Sequence, residues 1–321
     1  MIVRSIRPII FLVGILLIIS TCGPPPKEYI YTNFLFGAQC NIKFYYIGDE
    51  RAREIIDVID LELTRLDSLL NYFSEISLVT ELNRNSRVHA PGDIISLFNA
   101  SDSVSRLTDG LFDITVAPLL ETWGFYRRGK TLPTQDAIER AMKLVDFRRI
   151  RITNDSIIVG SGMRIDLGGI AQGFAADRAA LILRQRHVKS AIIDIGGEVL
   201  AIGRSPQGRP WRVGIQNPRG KGIIETIELE NSAVSTSGDY EKFFIIDNRR
   251  YPHIINPKTG LPAQNFASVT ITADNATYAD AMSTAIAIMG PASGIDFLDS
   301  LEIKGIIYYE ENDSLKRVSN R

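Results

Sequence analysis

Residues Asp166-Leu-Gly-Gly-Ile-Ala-Gln-Gly173 constrain this chain more than any other stretch, because an acidic residue closing an apolar segment meets three glycines where a helix begins. Met163-Arg-Ile165 ahead of it reads as a strand. Ala175 to Leu183 behind it is rich in helix formers, so the glycines occupy a strand-to-helix junction. Backbone N–H groups at a helix N-terminus attract phosphate, and glycine admits close approach of a ligand to the backbone. The Asp166 carboxylate suits the N–H or hydroxyl groups of a ligand. Neither G-x-x-x-x-G-K-[ST] nor G-x-G-x-x-G occurs in this segment, which removes the main support for a P-loop or a Rossmann site. A tight turn with a purely structural task stands as the competing reading.

The first residues bear on the compartment. Arg4 and Arg7 precede an apolar run from Ile9 to Ile19, followed by Ser20-Thr21-Cys22-Gly23 and three prolines, Pro24 to Pro26. The layout is that of a signal peptide, and the run is shorter than the roughly 20 residues of a membrane span. A Cys directly after small residues resembles the lipobox of bacterial lipoproteins, with Thr21 where Gly, Ala or Ser is usual. The expectation is a leader over residues 1–21, lipidation at Cys22, a lipid-anchored Pro-rich tether over 22–34 and a functional domain over 35–321. The body then lies on the extracytoplasmic, periplasmic face of a bacterial cell membrane; a retained signal anchor is the alternative.

With Cys22 acylated, Cys40 is the only other thiol, so no intramolecular disulfide supports the fold. A core must do so, and a chain of this length buries ample surface. Losing Arg4 and Arg7 with the leader takes the net charge from −1 to −3, which argues against nucleic acid as a partner. No repeat or linker divides the body, so one compact domain, possibly with two lobes, is expected.

Ala38 to Tyr46 alternates as a strand with Ile42, Phe44 and Tyr46 on one face, and Ile55, Ile59, Leu63, Leu66 and Leu70 repeat at helical spacing from about Ala52 to Leu70. A second helix is expected over Ile94 to Leu107 and a third apolar segment from Phe112 to Trp123. Strand-like runs follow at Ile157–Val159, Ala191–Ile195, Trp211–Ile215 and Val269–Thr272. Helices and strands intersperse without strict alternation. That pattern favours an α+β protein of mixed, largely antiparallel sheet with helices on one face over a doubly wound parallel sheet.

Five further segments offer groups suited to chemistry. Ala279 to Met289 reads as a helix closed by Gly290-Pro291, so Asp280 and Thr284 share one face and offer hard oxygen donors suited to Mg²⁺. A helix-terminal Asp and a back-bonded Thr explain the pair equally well. Ser235-Thr-Ser-Gly-Asp-Tyr240 and Tyr251-Pro-His-Ile-Ile-Asn-Pro-Lys-Thr-Gly260 concentrate hydroxyls and an imidazole; His253 suits a general base, and Lys258 and Thr259 suit phosphate, unless they are turn residues only. Thr108-Asp-Gly-Leu-Phe-Asp-Ile-Thr115, with Trp123-Gly-Phe125, sets Asp113 among aromatics that suit either a flavin or adenine ring or a core. Ile193-Asp-Ile-Gly-Gly-Glu198 reads as a strand entering a tight turn. His89 and His187 read as surface residues.

In this order the segments resemble the FAD:protein FMN transferase family, the ApbE-like flavin transferases once called thiamine-biosynthesis lipoproteins. The resemblance rests on Asp109 to Thr115 through Phe125, Asp166 to Gly173, Asp194 to Gly197, Thr236 to Tyr240, His253 to Gly260 and Ala279 to Thr284, and spans residues from about 35 to 310. It implies an α+β fold that binds FAD as substrate together with Mg²⁺. It also implies transfer of FMN through a phosphoester to a Thr or Ser of an acceptor flavoprotein subunit in a membrane electron-transport complex, with release of AMP. On the matching positions, Asp280, Thr284 and the carbonyl of Gly169 would hold the metal, and His253 would deprotonate the acceptor hydroxyl. Phe36, Tyr72, Leu111, Phe112, Asp113, Asp166, Gln172, His253 and Thr259 would bind FAD. Gln172 stands where the family usually has Lys, Asn256 where it has Asp, and Phe36-Gly37-Ala38 where many members have Met-Gly-Thr. An Mg²⁺-dependent FAD pyrophosphatase and a non-catalytic FAD-binding lipoprotein are the alternatives.

Overall fold

The structure, a computed structural model, describes residues 24–126 and 132–320; the expected leader and Cys22 lie outside them. The first half of the chain forms β1 (Lys27–Leu35), β2 (Ala38–Tyr46), α1 (Asp49–Leu70), α2 (Leu78–Asn85), β3 (Arg87–His89), α3 (Gly92–Leu107), α4 (Ala117–Thr122), α5 (Gln135–Met142), β4 (Arg151–Ile152) and β5 (Ser156–Ile158). Then come α6 (Ala171–Gln185), β6 (Ala191–Ile195), β7 (Glu198–Ile202), β8 (Trp211–Gln216), β9 (Ile223–Leu229) and β10 (Ala233–Gly238). The last third holds β11 (Phe243–Ile246), β12 (Arg249–Pro252), β13 (Ser268–Ala273), α7 (Ala276–Met289), α8 (Pro291–Ser300), β14 (Lys304–Glu311) and β15 (Ser314–Ser319).

Eight strands make the principal sheet in the order β1-β2-β6-β7-β10-β13-β14-β15, and every neighbouring pair is antiparallel. Period-two alternation decides its two faces. Ile42, Phe44, Ile193, Ile195, Leu200, Val269, Ile271 and Ile307 are buried on the inner face, where α1, α6 and α7 pack. Helix α1 lies there because Ala52, Ile55, Ile59, Leu63, Leu66 and Leu70 form one buried stripe, while Asp49 and Glu50 in its first turn oppose the helix dipole. The other face is covered by a hairpin: Trp211, Val213, Ile227 and Leu229 of β8 and β9 pack on Val199, Ala201 and Val234. The α+β architecture with helices on one face is thus as the sequence implies. A smaller apolar cluster joins α4 and α5 to the β11–β12 hairpin through Leu119, Leu120, Trp123, Ile138 and Phe244.

Two expectations change. Residues 27–34, assigned by composition to the tether, belong to β1, whose register against β2 runs from Lys27 opposite Tyr46 to Leu35 opposite Ala38. Tyr29 and Tyr31 turn to the inner side of that strand, with Tyr31 buried, so aromatic alternation outweighs the nearby prolines. Met163 to Ile165 is not a sheet strand; Arg164 makes only an isolated parallel bridge to Val116. Of the apolar segment from Phe112 to Trp123, only Ala117–Thr122 is helical, because Asp113 ties the preceding residues into a turn.

Candidate active site

A cavity of about 1540 Å³ opens where the β1–β2 turn, the β6–β7 turn, the end of β10, the N-terminus of α6 and the middle of α7 converge. It exceeds the roughly 300–1,000 Å³ of a site for a drug-sized ligand. Phe36, Tyr72, Leu111, Phe112, Asp113, Asp166, Gly169, Gln172, His253, Asp280 and Thr284 all border it. Thr259 does not. The turn that closes when Gly260 N donates to the Asn256 carbonyl at 2.8 Å leaves Thr259 exposed, and Lys258 forms an ion pair with Asp109 at 2.5 Å.

The β1–β2 connection has two residues, both at positive φ, 56° at Phe36 and 70° at Gly37. That is a hairpin geometry which glycine adopts readily and phenylalanine does not. Phe36 is held there because its N–H donates to Asp67 at 2.7 Å and its carbonyl accepts from the Gln172 amide at 3.3 Å. Gln172 therefore supports the rim of the cavity through a neutral hydrogen bond.

An aromatic wall stands beside the glycine turn. Tyr72 stacks on Tyr126 with centroids 4.3 Å apart, and Phe73, 70% exposed, meets both edge-on. Burial pushes both tyrosine hydroxyls far above their usual range, so both stay protonated donors: Tyr126 to Asp166 and Tyr72 to Glu121. Tyr126 carried no signal in the sequence, since an aromatic two residues past Trp123-Gly124 has no inherent direction. The other Asp166 oxygen accepts from Gly168 N at 2.7 Å, which shapes the turn ahead of α6.

Asp113 serves the wall more than the lumen. One of its oxygens accepts from Thr115 N and the Thr115 hydroxyl at 2.8 and 2.6 Å, the other from Phe147 N at 2.9 Å. Burial nevertheless pushes its carboxyl up to about 6. The hydroxyl-rich strand β10 is likewise mostly internal: Ser235 and Ser237 bond Ser283 of α7 at 3.1 and 2.7 Å, and Thr236 bonds Thr270 at 2.9 Å.

Helices α6 and α7 cross almost in backbone contact. A Cβ added at Gly173 would lie 2.3 Å from the Ala276 carbonyl oxygen and 2.8 Å from Asp280 Cβ, so only glycine permits the crossing. The third glycine of the motif is thus a packing residue. Asp280 Oδ2 accepts from Gly173 N at 3.0 Å, while Gly169 backs onto Thr284, whose Oγ1 would be 3.1 Å from an added Cβ. Burial, with repulsion from Glu241 and Asp177, pushes the Asp280 carboxyl up to about 7. Close by, the Glu198 carboxylate is buried and its Oε2 accepts no hydrogen bond among the described residues. The desolvated Asp280 carboxylate without a counter-charge, beside the Thr284 hydroxyl and the Gly169 main chain, is a donor set that fits a hard divalent cation such as Mg²⁺.

His253 follows β12. Its Nδ1 lies 3.2 Å from the Lys242 carbonyl and its ring meets Phe125 edge-on at 6.4 Å. A carbonyl only accepts, so Nδ1 carries the proton and Nε2 keeps its lone pair. Burial, with the Lys242 charge, pushes the imidazole down to about 4, so the ring is neutral near pH 7. Trp123 Nε1 donates to Gly260 O at 2.7 Å and the indole stacks on Tyr251 at 5.7 Å, which fixes the hairpin that carries His253. His89 and His187 are exposed, as the sequence suggests.

Residues 36–307 match the sequence pattern of the ApbE family. The chain belongs to the ApbE family. Among solved ApbE structures, the apo form of the flavinyl transferase from Pseudomonas stutzeri matches with a TM-score of 0.85 at 30% identity, over 92% of this chain and 96% of that one. The ApbE protein of Thermotoga maritima matches at 0.82 and 34% identity, over 91% and 97%. The FAD:protein FMN transferase of Escherichia coli K12 is 28% identical over 286 residues, 84% of this chain and 81% of that protein. That of Treponema pallidum is 29% identical over 307 residues, 87% and 84%. The ApbE match runs from the β1–β2 turn into β14, and the protein is a transferase.

Proposed function

We propose that this protein transfers FMN from FAD to a Thr or Ser hydroxyl of a redox-complex subunit at the extracytoplasmic membrane face, releasing AMP, with Mg²⁺ as its cation. The observation that carries this reading is the meeting, in one cavity, of an aromatic wall, a buried carboxylate–hydroxyl pair and a neutral imidazole. The resemblance to proteins named FAD:protein FMN transferase supports the donor and the reaction class.

The chemistry assigns a task to each group. Tyr72 and Tyr126 offer a face on which an isoalloxazine stacks, and Leu111 and Phe112 close the apolar side. The N-terminus of α6, without a side-chain cap, directs its dipole at a pyrophosphate. His253 Nε2 takes the proton from the acceptor hydroxyl, whose oxygen attacks the FMN phosphorus. The bond from that phosphorus to the bridging oxygen breaks, and AMP departs with the bond's electron pair. Asp280, Thr284 and the Gly169 carbonyl would hold Mg²⁺, which when bound supplies charge stabilisation to the pyrophosphate. Excluding water around His253 keeps hydrolysis from competing with transfer.

The test is incubation of the protein with FAD and MgCl₂, with and without a flavin-acceptor domain, read by mass spectrometry. An acceptor heavier by one FMN, with one AMP released, is the expected result. FMN and AMP formed equally well without acceptor would replace the transferase with a pyrophosphatase, and intact FAD would leave a binding protein.

A further inference from the structure

Glu198 opens β7 directly after the Gly196-Gly197 turn and borders the cavity, yet none of the tasks above uses it. Its side chain is only 5% exposed, and Oε2 accepts no hydrogen bond among the described residues. Its charged surroundings are acidic: Asp280 foremost, then Glu241 and Asp194. The neighbouring hydroxyl of Ser235 eases its ionisation less than burial and Asp280 oppose it, and that hydroxyl is shared with Ser283. A buried carboxylate with no cation and an unpartnered oxygen costs stability unless a ligand satisfies it.

We infer that Glu198 orients the water shell of the cation held at Asp280 and Thr284. Among the described residues no three acidic, thiol or imidazole side chains form a ready-made cluster, and with Asp280, Thr284 and the Gly169 carbonyl assigned as ligands above, the place left to Glu198 is that of an acceptor for metal-bound water. Mg²⁺ keeps several of its waters when one or two carboxylates bind it, and such waters need acceptors. Glu198 Oε2 is an acceptor with nothing else to accept. Its place in the fold follows from register: Glu198 lies opposite Ile195, a residue of the inner face, so its side chain shares the side on which α7 presents Asp280. Glu198 is thus a positioning residue for the cation, and this role rests on the reading that Asp280 and Thr284 hold it.

The probe is Mn²⁺ alone, titrated into the purified protein without flavin and followed by electron paramagnetic resonance, with melting temperature recorded on the metal-free protein. Glu198→Gln, which keeps the shape and removes the charge, is expected to weaken Mn²⁺ binding about 10- to 100-fold, the usual effect of losing an outer-sphere partner. The metal-free variant should melt close to the wild-type temperature, because glutamine keeps the shape of the buried side chain. Mn²⁺ affinity within about twofold of wild type would overturn the inference, whatever the melting temperature does. Asp280→Ala separates the two readings. If it abolishes Mn²⁺ binding while Glu198→Gln leaves it intact, only the role of Glu198 fails; if Asp280→Ala binds as wild type does, the cation site itself is misplaced and both fail.

Discussion

A single imidazole shows how position sets chemistry at the residue scale. His253 has a folded-state pKa pushed down to about 4, from an ordinary value of 6.5. Its neutral form therefore contributes stability that is complete above pH ~6.5 and is lost as the pH falls towards 4, where the folded protein at last accepts the proton. One of the three histidine ring resonances is expected to titrate near pH 4 and to vanish in His253→Gln; titration near 6.5 would remove the argument for a neutral base. His253→Ala should lower FMN transfer by about 10²- to 10⁴-fold, the usual worth of a general base, with FAD binding still measurable. Transfer at the wild-type rate would take the role away. The company of Asn256, Pro257 and Gly260 singled His253 out in the sequence. Its tautomer was not legible there, because the Lys242 carbonyl that sets it arrives from 11 residues upstream.

Among elements, the crossing of α6 and α7 decides most. Both helices have weakly polarised faces and bury nearly their whole first turns, and their closest approach depends on a small residue, Gly173 of α6 against Ala276 and Asp280 of α7. Gly173→Ala is expected to cost roughly 1–3 kcal/mol of unfolding free energy in urea, as overpacking does, and to displace Asp280, so that transfer needs more Mg²⁺. Gly92→Ala, where a new Cβ meets nothing within 4 Å, is the control and should stay within about 0.5 kcal/mol. Equal stability of the two variants would refute the close-crossing account. A half-buried network of Arg219 and Arg250 on Asp239 braces the loop between β10 and β11, with Arg219 gripping both carboxylate oxygens at 2.7 Å.

For the whole molecule the question is where the cavity sits relative to a membrane. No helix among the described residues is long and apolar enough to cross one. Strand β1 begins at Lys27, five residues after Cys22, so a lipid on Cys22 would hold the sheet edge within about 18 Å of the bilayer at ~3.3–3.6 Å per extended residue. Cys22→Ala is expected to move the protein from the membrane to the soluble fraction and to leave transfer to a soluble acceptor domain unchanged. Retention of the variant in the membrane fraction would dismiss the anchor at that residue. The short reach also suits an acceptor that is itself membrane-bound.

By itself the sequence determined the α+β class, the stripe of α1, the alternation of β2 and the presence of strands such as β13, because periodicity, glycine and local charge act over a few residues. It also placed Asp280 and Thr284 on one helix face, a consequence of the 3.6-residue repeat alone. Only the tertiary structure decided that Gly173 serves helix packing, that Asp113 spends its carboxylate on the backbone, that Thr259 turns away from the cavity, and that Tyr126 and Glu198 face it. Each of these depends on partners from distant segments, Phe147 for Asp113 and Ala276 for Gly173 among them, and on desolvation that exists only once the sheet and helices have closed around the site. Spacing along a chain carries no record of either.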